Sequence, residues 1–149
     1  IYLYILFLTF VELDGTLLEH QTNNELDEMI EDYGTRSFLH EKPLKTSLKF
    51  FKSIDKKDMI IFTTARCSRH KDHTIRVLQR LGIKYKDILF DINSGARFLV
   101  NDMKPKGSVG NTLPFKTAYA INLERDRGMT SKDVEVCELK PDQQIRLIT

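Results

Sequence analysis

Cysteine is scarce in this chain. Cys67 and Cys137 are the only two in 149 residues, too few and too far apart for a disulfide framework, so a reduced, cytoplasmic setting is the simpler reading. Excess charge of one sign is also lacking. The net charge is +2, which gives no reason to expect nucleic acid or an acidic membrane as partner, so any positive site must be local. Long hydrophobic runs are missing too. The longest apolar stretch, residues 1–11, falls short of the ~20 residues that span a bilayer. No basic residues precede it and no small-residue cleavage site follows it, unlike a secretory signal. Its β-branched and aromatic content reads as a buried strand. Repeats, low-complexity tracts and long linkers are absent. A single domain over residues 1–149 is expected, with 124–149 as a loosely packed tail.

What is present is ordinary globular material, 41% hydrophobic and 30% charged, which excludes a disordered chain. Strand-like and helix-like patterns alternate, which predicts an α/β domain with a parallel sheet. After the first strand a short helix is expected over 24–33, broken at Gly34. A second helix should start near Pro43, with Leu44, Leu48, Phe51 and Ile54 on one face. Residues 59–63 read as the second strand. A helix over 69–81 follows, with Ile75, Leu78 and Leu81 inward and Gly82 as its C-terminal cap. Residues 88–90, 97–100 and 117–123 read as further strands.

Three strand ends carry chemistry, and ligands in open parallel sheets bind outside the carboxyl ends of the strands. The first end is Glu12-Leu13-Asp14-Gly15-Thr16. Two carboxylates two residues apart can share a hard cation, and the glycine permits a sharp turn off the sheet. The second is Thr63-Thr64-Ala65-Arg66, a hydroxyl followed by a guanidinium that could fork onto a phosphate. The third is Asn101-Asp102-Met103-Lys104, an acid and a cation together. The pair His70 and His73 lies on one helix without a convincing third ligand, and reads as a solvated face.

In order and spacing, these motifs resemble the haloacid dehalogenase-like hydrolase superfamily in its small, capless, phosphatase-like members. The resemblance extends from Phe7 to Leu123. It implies a three-layer, Rossmann-like parallel sheet with helices on both faces and no large cap domain. It implies an Mg²⁺-dependent phosphatase-like hydrolase that acts on a phosphomonoester through an acyl-phosphate intermediate. Glu12, Asp14 and Asp102 would hold Mg²⁺. Glu12 would attack phosphorus, and Asp14 would serve as acid and then base. Thr64, Ala65, Arg66 and Lys104 would bind the phosphoryl group, with Thr64 and Lys104 stabilising its charge. The partner is a phosphorylated small molecule, for which a sugar phosphate and a nucleotide both fit, and oligomerisation would close an open site.

The chain departs from the family at two places. The family's nucleophile is Asp, and Glu12 carries one more methylene. A shift of roughly 1 Å can cost about 10²-fold in rate. The family's third-motif lysine has no counterpart before the fourth predicted strand, and Lys104 is the preferred substitute over Arg97 and Lys86. The alternative reading is therefore a catalytically impaired binding domain that keeps the fold.

Overall fold

The computed structural model describes residues 7–135 and 137. At its centre is a parallel three-stranded sheet in the order β1-β2-β3, formed by β1 (Leu8–Glu12), β2 (Met59–Thr63) and β3 (Asp87–Leu89). The sheet pairs Val11 with Phe62 and Phe62 with Ile88. Successive side chains alternate between faces, so these partners share one face with Ile60 and Leu13. Val11 and Ile60 are each 4% exposed, and Phe62 is fully buried. Burying a side chain like Phe62 contributes roughly 1.5–3 kcal/mol. Helices α2 (Lys45–Ser53) and α3 (Lys71–Leu81) complete this core with Phe50, Phe51, Val77, Leu78 and Leu81. Residues 1–6, the start of the expected first strand, lie outside the described residues.

The other sheet face carries Leu8, Phe10, Met59 and Leu89, which are 40% to 51% exposed. Among the described residues no helix covers it. Among the described residues the sheet is thus covered by helices on one face, and the expected cover of the second face is not seen. Mixed α/β architecture with a parallel sheet stands. No helix among the described residues is long and apolar enough to cross a membrane.

Helix α1 (Asn23–Tyr33) begins at a capping box. Thr22 Oγ1 accepts from the Glu25 amide, and Glu25 Oε2 accepts from the Thr22 amide, each at 3.1 Å. The chain does not open into a loop after Gly34 but tightens into a 3-10 helix, Gly34–His40. Helix α2 starts two residues later than Pro43 suggests. Leu44 donates its amide to the Leu17 carbonyl at 2.8 Å, which ties this segment to the loop after β1 before the helix can begin. A 3-10 turn, Ser68–His70, precedes α3. The inner face of α3 is Val77, Leu78 and Leu81, with Ile75 only partly buried. Gly82 caps the helix as expected.

The strands expected at 97–100 and 117–123 do not form. Phe98 and Val100 stand 93% and 94% exposed. A parallel neighbour for β1 needs a crossover, usually a dozen residues or more, and only residues 90–96 separate β3 from the first of these segments. Instead, Lys104 and Phe115 exchange two backbone hydrogen bonds at 3.0 and 3.1 Å, closing a surface loop. Tyr119 and Leu123 nevertheless pack on the core.

The described part of the expected tail is docked, not loose. Met129 and Val134 are 5% and 7% exposed and join the core; Val134 lies in the short helix α4 (Ser131–Glu135). Met129 donates its amide to Ser47 Oγ at 2.7 Å. Gly128 makes this approach with φ +86, and a Cβ there would run into Thr46 Oγ1. Thr46 can rotate away, but the left-handed backbone penalty remains at about 1–2 kcal/mol. Gly128→Ala is therefore expected to destabilise the chain by about that amount in urea unfolding. An unchanged midpoint would show that this loop is not held as described.

Candidate functional site

The loop after β1 turns back immediately. The Gly15 amide donates to the Leu18 carbonyl at 2.7 Å, and the Leu17 and Leu18 amides both donate to the Leu13 carbonyl at 3.0 Å. This turn presents Asp14 beside the carboxyl end of β2. There Thr64 Oγ1 donates to Asp14 Oδ2 at 3.2 Å and accepts from the Arg66 amide at 3.1 Å. Asp14 is thus brought to Thr64 and Arg66, 50 and 52 residues away, as expected for two strand ends.

Arg66 fills a different role from the one its sequence context suggests. Its guanidinium is 1% exposed. Nε donates to Asp14 at 3.1 Å and Nη2 to Asp14 at 2.8 Å. Nη1 and Nη2 both reach Glu41 at 2.7 Å, and Nη1 also donates to Thr74 Oγ1 at 3.0 Å. Five N–H donors are available on an arginine, and all are committed within the protein. The Thr64 hydroxyl proton is likewise given to Asp14. Neither side chain has a donor left for phosphate in this arrangement.

Behind Arg66 the network continues inward. His73 Nε2 lies 2.8 Å from Glu41 Oε2, and His73 Nδ1 lies 2.8 Å from Ser37 Oγ. Ser37, Glu41 and His73 are 4%, 2% and 7% exposed. This chain has the connectivity of a hydrolytic triad, but Ser37 is shut away from any substrate, so the relay is structural. Burial works to raise the Glu41 pKa. Hydrogen bonds from His73 and Arg66 outweigh it and hold the carboxyl down at about 2. For Arg66, burial works against the charge, and Glu41 and Asp14 more than restore it, so its pKa is raised.

A second buried histidine anchors the same loop from outside. His70 Nδ1 faces Asn23 Oδ1 at 3.0 Å, and Nε2 faces Asp27 Oδ1 at 2.6 Å. Asn23 also accepts from the Cys67 amide and donates to the Ala65 carbonyl. Arg69 forks onto Asp27 at 3.0 Å on both oxygens, and with His70 it holds the Asp27 carboxyl down at about 2. The solvated-face reading of His70 and His73 is therefore corrected: each is buried against a carboxylate. No local pattern marks Asn23, Asp27, Glu41 or Thr74 as their partners.

Two donors do remain open. The backbone N–H groups of Asp14 and Ala65 meet no acceptor among the described residues. They sit at the carboxyl ends of neighbouring strands. Glu12, at the end of β1, is exposed and without a partner among the described residues.

The remaining expected residues lie apart from this cluster. Asp102 is exposed, and its carbonyl accepts from the Thr117 hydroxyl. Lys104 is exposed in the loop closed by Phe115. Neither makes a hydrogen bond or ion pair with Glu12, Asp14 or Thr64. Among the described residues no three His, Cys, Asp or Glu side chains gather as a metal site. Glu12, Asp14 and Asp102 are not brought together in such a group. A cleft of about 310 Å³ lies at the opposite end of the sheet, against Met59, Ile60 and Gly82, and takes no part in this site.

No family model matches this chain, and no curated protein or solved structure matches it either.

Proposed function

We propose that this chain is a phosphomonoester hydrolase of the haloacid dehalogenase-like type, with its site at the Asp14–Thr64 strand ends. The observation that carries the reading is the pair of unpartnered backbone N–H groups at Asp14 and Ala65. Free backbone amides at a strand end can receive anions. They would take the phosphoryl oxygens in place of the committed Thr64 and Arg66 side chains. The unpartnered carboxylate of Glu12 would attack phosphorus, forming an acyl phosphate as the alkoxide leaves. The leaving alkoxide would take its proton from solvent at the open site, and Asp14, a carboxylate accepting from Arg66 and Thr64, would take a proton from the water that cleaves the acyl phosphate. A sugar phosphate or a nucleotide suits a site that no cap domain covers among the described residues.

The second reading is a silent phosphate-binding domain. It is favoured by one observation: Asp14 already accepts from Arg66 and Thr64, which restrains its use as a base.

Hydrolysis of p-nitrophenyl phosphate, with and without Mg²⁺, separates the two. The wild-type chain is expected to turn over. Asp14→Asn is expected to lower kcat by about 10²-fold or more, with circular dichroism checking the fold. Activity found only in Glu12→Asp marks the silent domain. Inactivity of both the wild type and Glu12→Asp ends the hydrolase reading.

A further inference from the structure

We infer that Arg125 is the cation that receives the phosphoryl group at this site; the inference rests on the phosphate reading above. Glu12 and Asp14 are carboxylates, and a dianion brought between them needs a positive partner. Arg66 cannot serve, because its donors are committed to Asp14, Glu41 and Thr74. Lys104 stands in a separate loop.

Arg125 lies on the turn itself. A Cβ built on Gly15 would meet Arg125 Cγ at 3.0 Å and Cβ at 3.8 Å, so the arginine stem rests directly on Gly15, the residue after Asp14. Only glycine, here at φ +85, permits this approach. The placement is built, not incidental. The Asp126 amide donates to the Gly15 carbonyl at 2.9 Å. Asp126 Oδ1 accepts from the His20 amide at 2.8 Å, with Asp126 itself held at φ 62. Ser47 Oγ donates to the Thr16 carbonyl while accepting from the Met129 amide. The segment around Arg125 is thus fastened to both sides of the Gly15 turn.

The guanidinium on this stem is uncommitted. Arg125 is exposed, and it makes no hydrogen bond or ion pair through its side chain among the described residues. Its fork matches phosphate in two parallel hydrogen bonds. It would complete a cradle with the amides of Asp14 and Ala65, in the role for which residues 91–96 offer no lysine.

The test is calorimetric titration of the whole chain with inorganic phosphate, alongside p-nitrophenyl phosphate hydrolysis. Arg125→Met keeps an apolar stem over Gly15 and removes the charge. Arg125→Lys keeps the charge and removes the fork. Lys116→Gln controls for net charge, and hydrogen exchange at the Asp126 amide reports whether the segment stays docked. Phosphate affinity is expected to fall about tenfold or more in Arg125→Met, to lie between in Arg125→Lys, and to hold in Lys116→Gln, with Asp126 protected throughout. Equal affinity in the wild type and Arg125→Met overturns the assignment to Arg125 and leaves the phosphate reading standing. Lost protection at Asp126 with full affinity in both arginine variants also overturns it. A wild-type chain that neither binds phosphate nor hydrolyses the ester overturns both.

Discussion

Replacing Arg66 by methionine is expected to destabilise the folded chain by about 3–5 kcal/mol, the cost of leaving a buried ion pair without one partner. Asp14 and Glu41 both depend on this guanidinium, and their side chains are 9% and 0% exposed. Methionine fills much of the volume but offers neither charge nor donors, so two carboxylates are left in a low-dielectric interior, with His73 alone beside Glu41. A loss of this size is a large share of the 5–15 kcal/mol that typically separates folded from unfolded domains. Urea unfolding monitored by circular dichroism gives the number directly. The double variant Arg66→Met/Glu41→Gln should be less unstable than the sum of the two single changes, because it removes an orphaned charge along with its partner. A single-variant loss below about 1 kcal/mol, the range of exposed pairs, would mean that the network is wetter than its geometry indicates.

Acid should dismantle the same network, and Glu41 sets the window. Its carboxyl titrates at about 2 in the folded chain against the ordinary 4.5. A depressed folded-state pKa means that the unfolded chain binds the proton first. The stabilisation is complete above about pH 4.5 and is lost as pH falls toward 2. The shift corresponds to about 3 kcal/mol. Asp27 is also held at about 2 by Arg69 and His70 and acts in the same direction, but it is exposed at the surface. Unfolding free energies measured from pH 6 to pH 2 should therefore fall less steeply in Glu41→Gln than in the wild type. Running both in an Asp27→Asn background isolates the buried contribution. Parallel acid limbs for the two chains would contradict the assignment.

These two predictions turn on pairings that no local sequence pattern reveals. Glu41 lies between a 3-10 helix and α2, in a stretch without periodicity, and its partners Arg66 and His73 are 25 and 32 residues away. Asp14, Thr64 and Arg66 were legible as strand-end chemistry because each follows an apolar run at a turn. Their division of labour was not legible. Whether an arginine faces solvent or an interior carboxylate depends on which distant segment covers it. The same holds for His70 and His73, whose helical spacing is equally consistent with a wet face and with two buried pairings.

Local pattern determined the elements whose causes are local. The apolar runs at β1 and β2, the Thr22–Glu25 capping box, the stripe of α3 and its Gly82 cap arise from alternation, helical period and backbone hydrogen bonding within a few residues. Tertiary structure alone decided the rest. Residues 97–100 have strand composition, yet a strand exists only where a neighbour's edge is reachable, and here it is not reached. The 124–130 segment lacks periodicity, yet it docks on the Gly15 turn through hydrogen bonds such as His20 to Asp126, 106 residues apart. Such contacts have no short-range signature, because each requires the whole chain to be folded before the two groups meet.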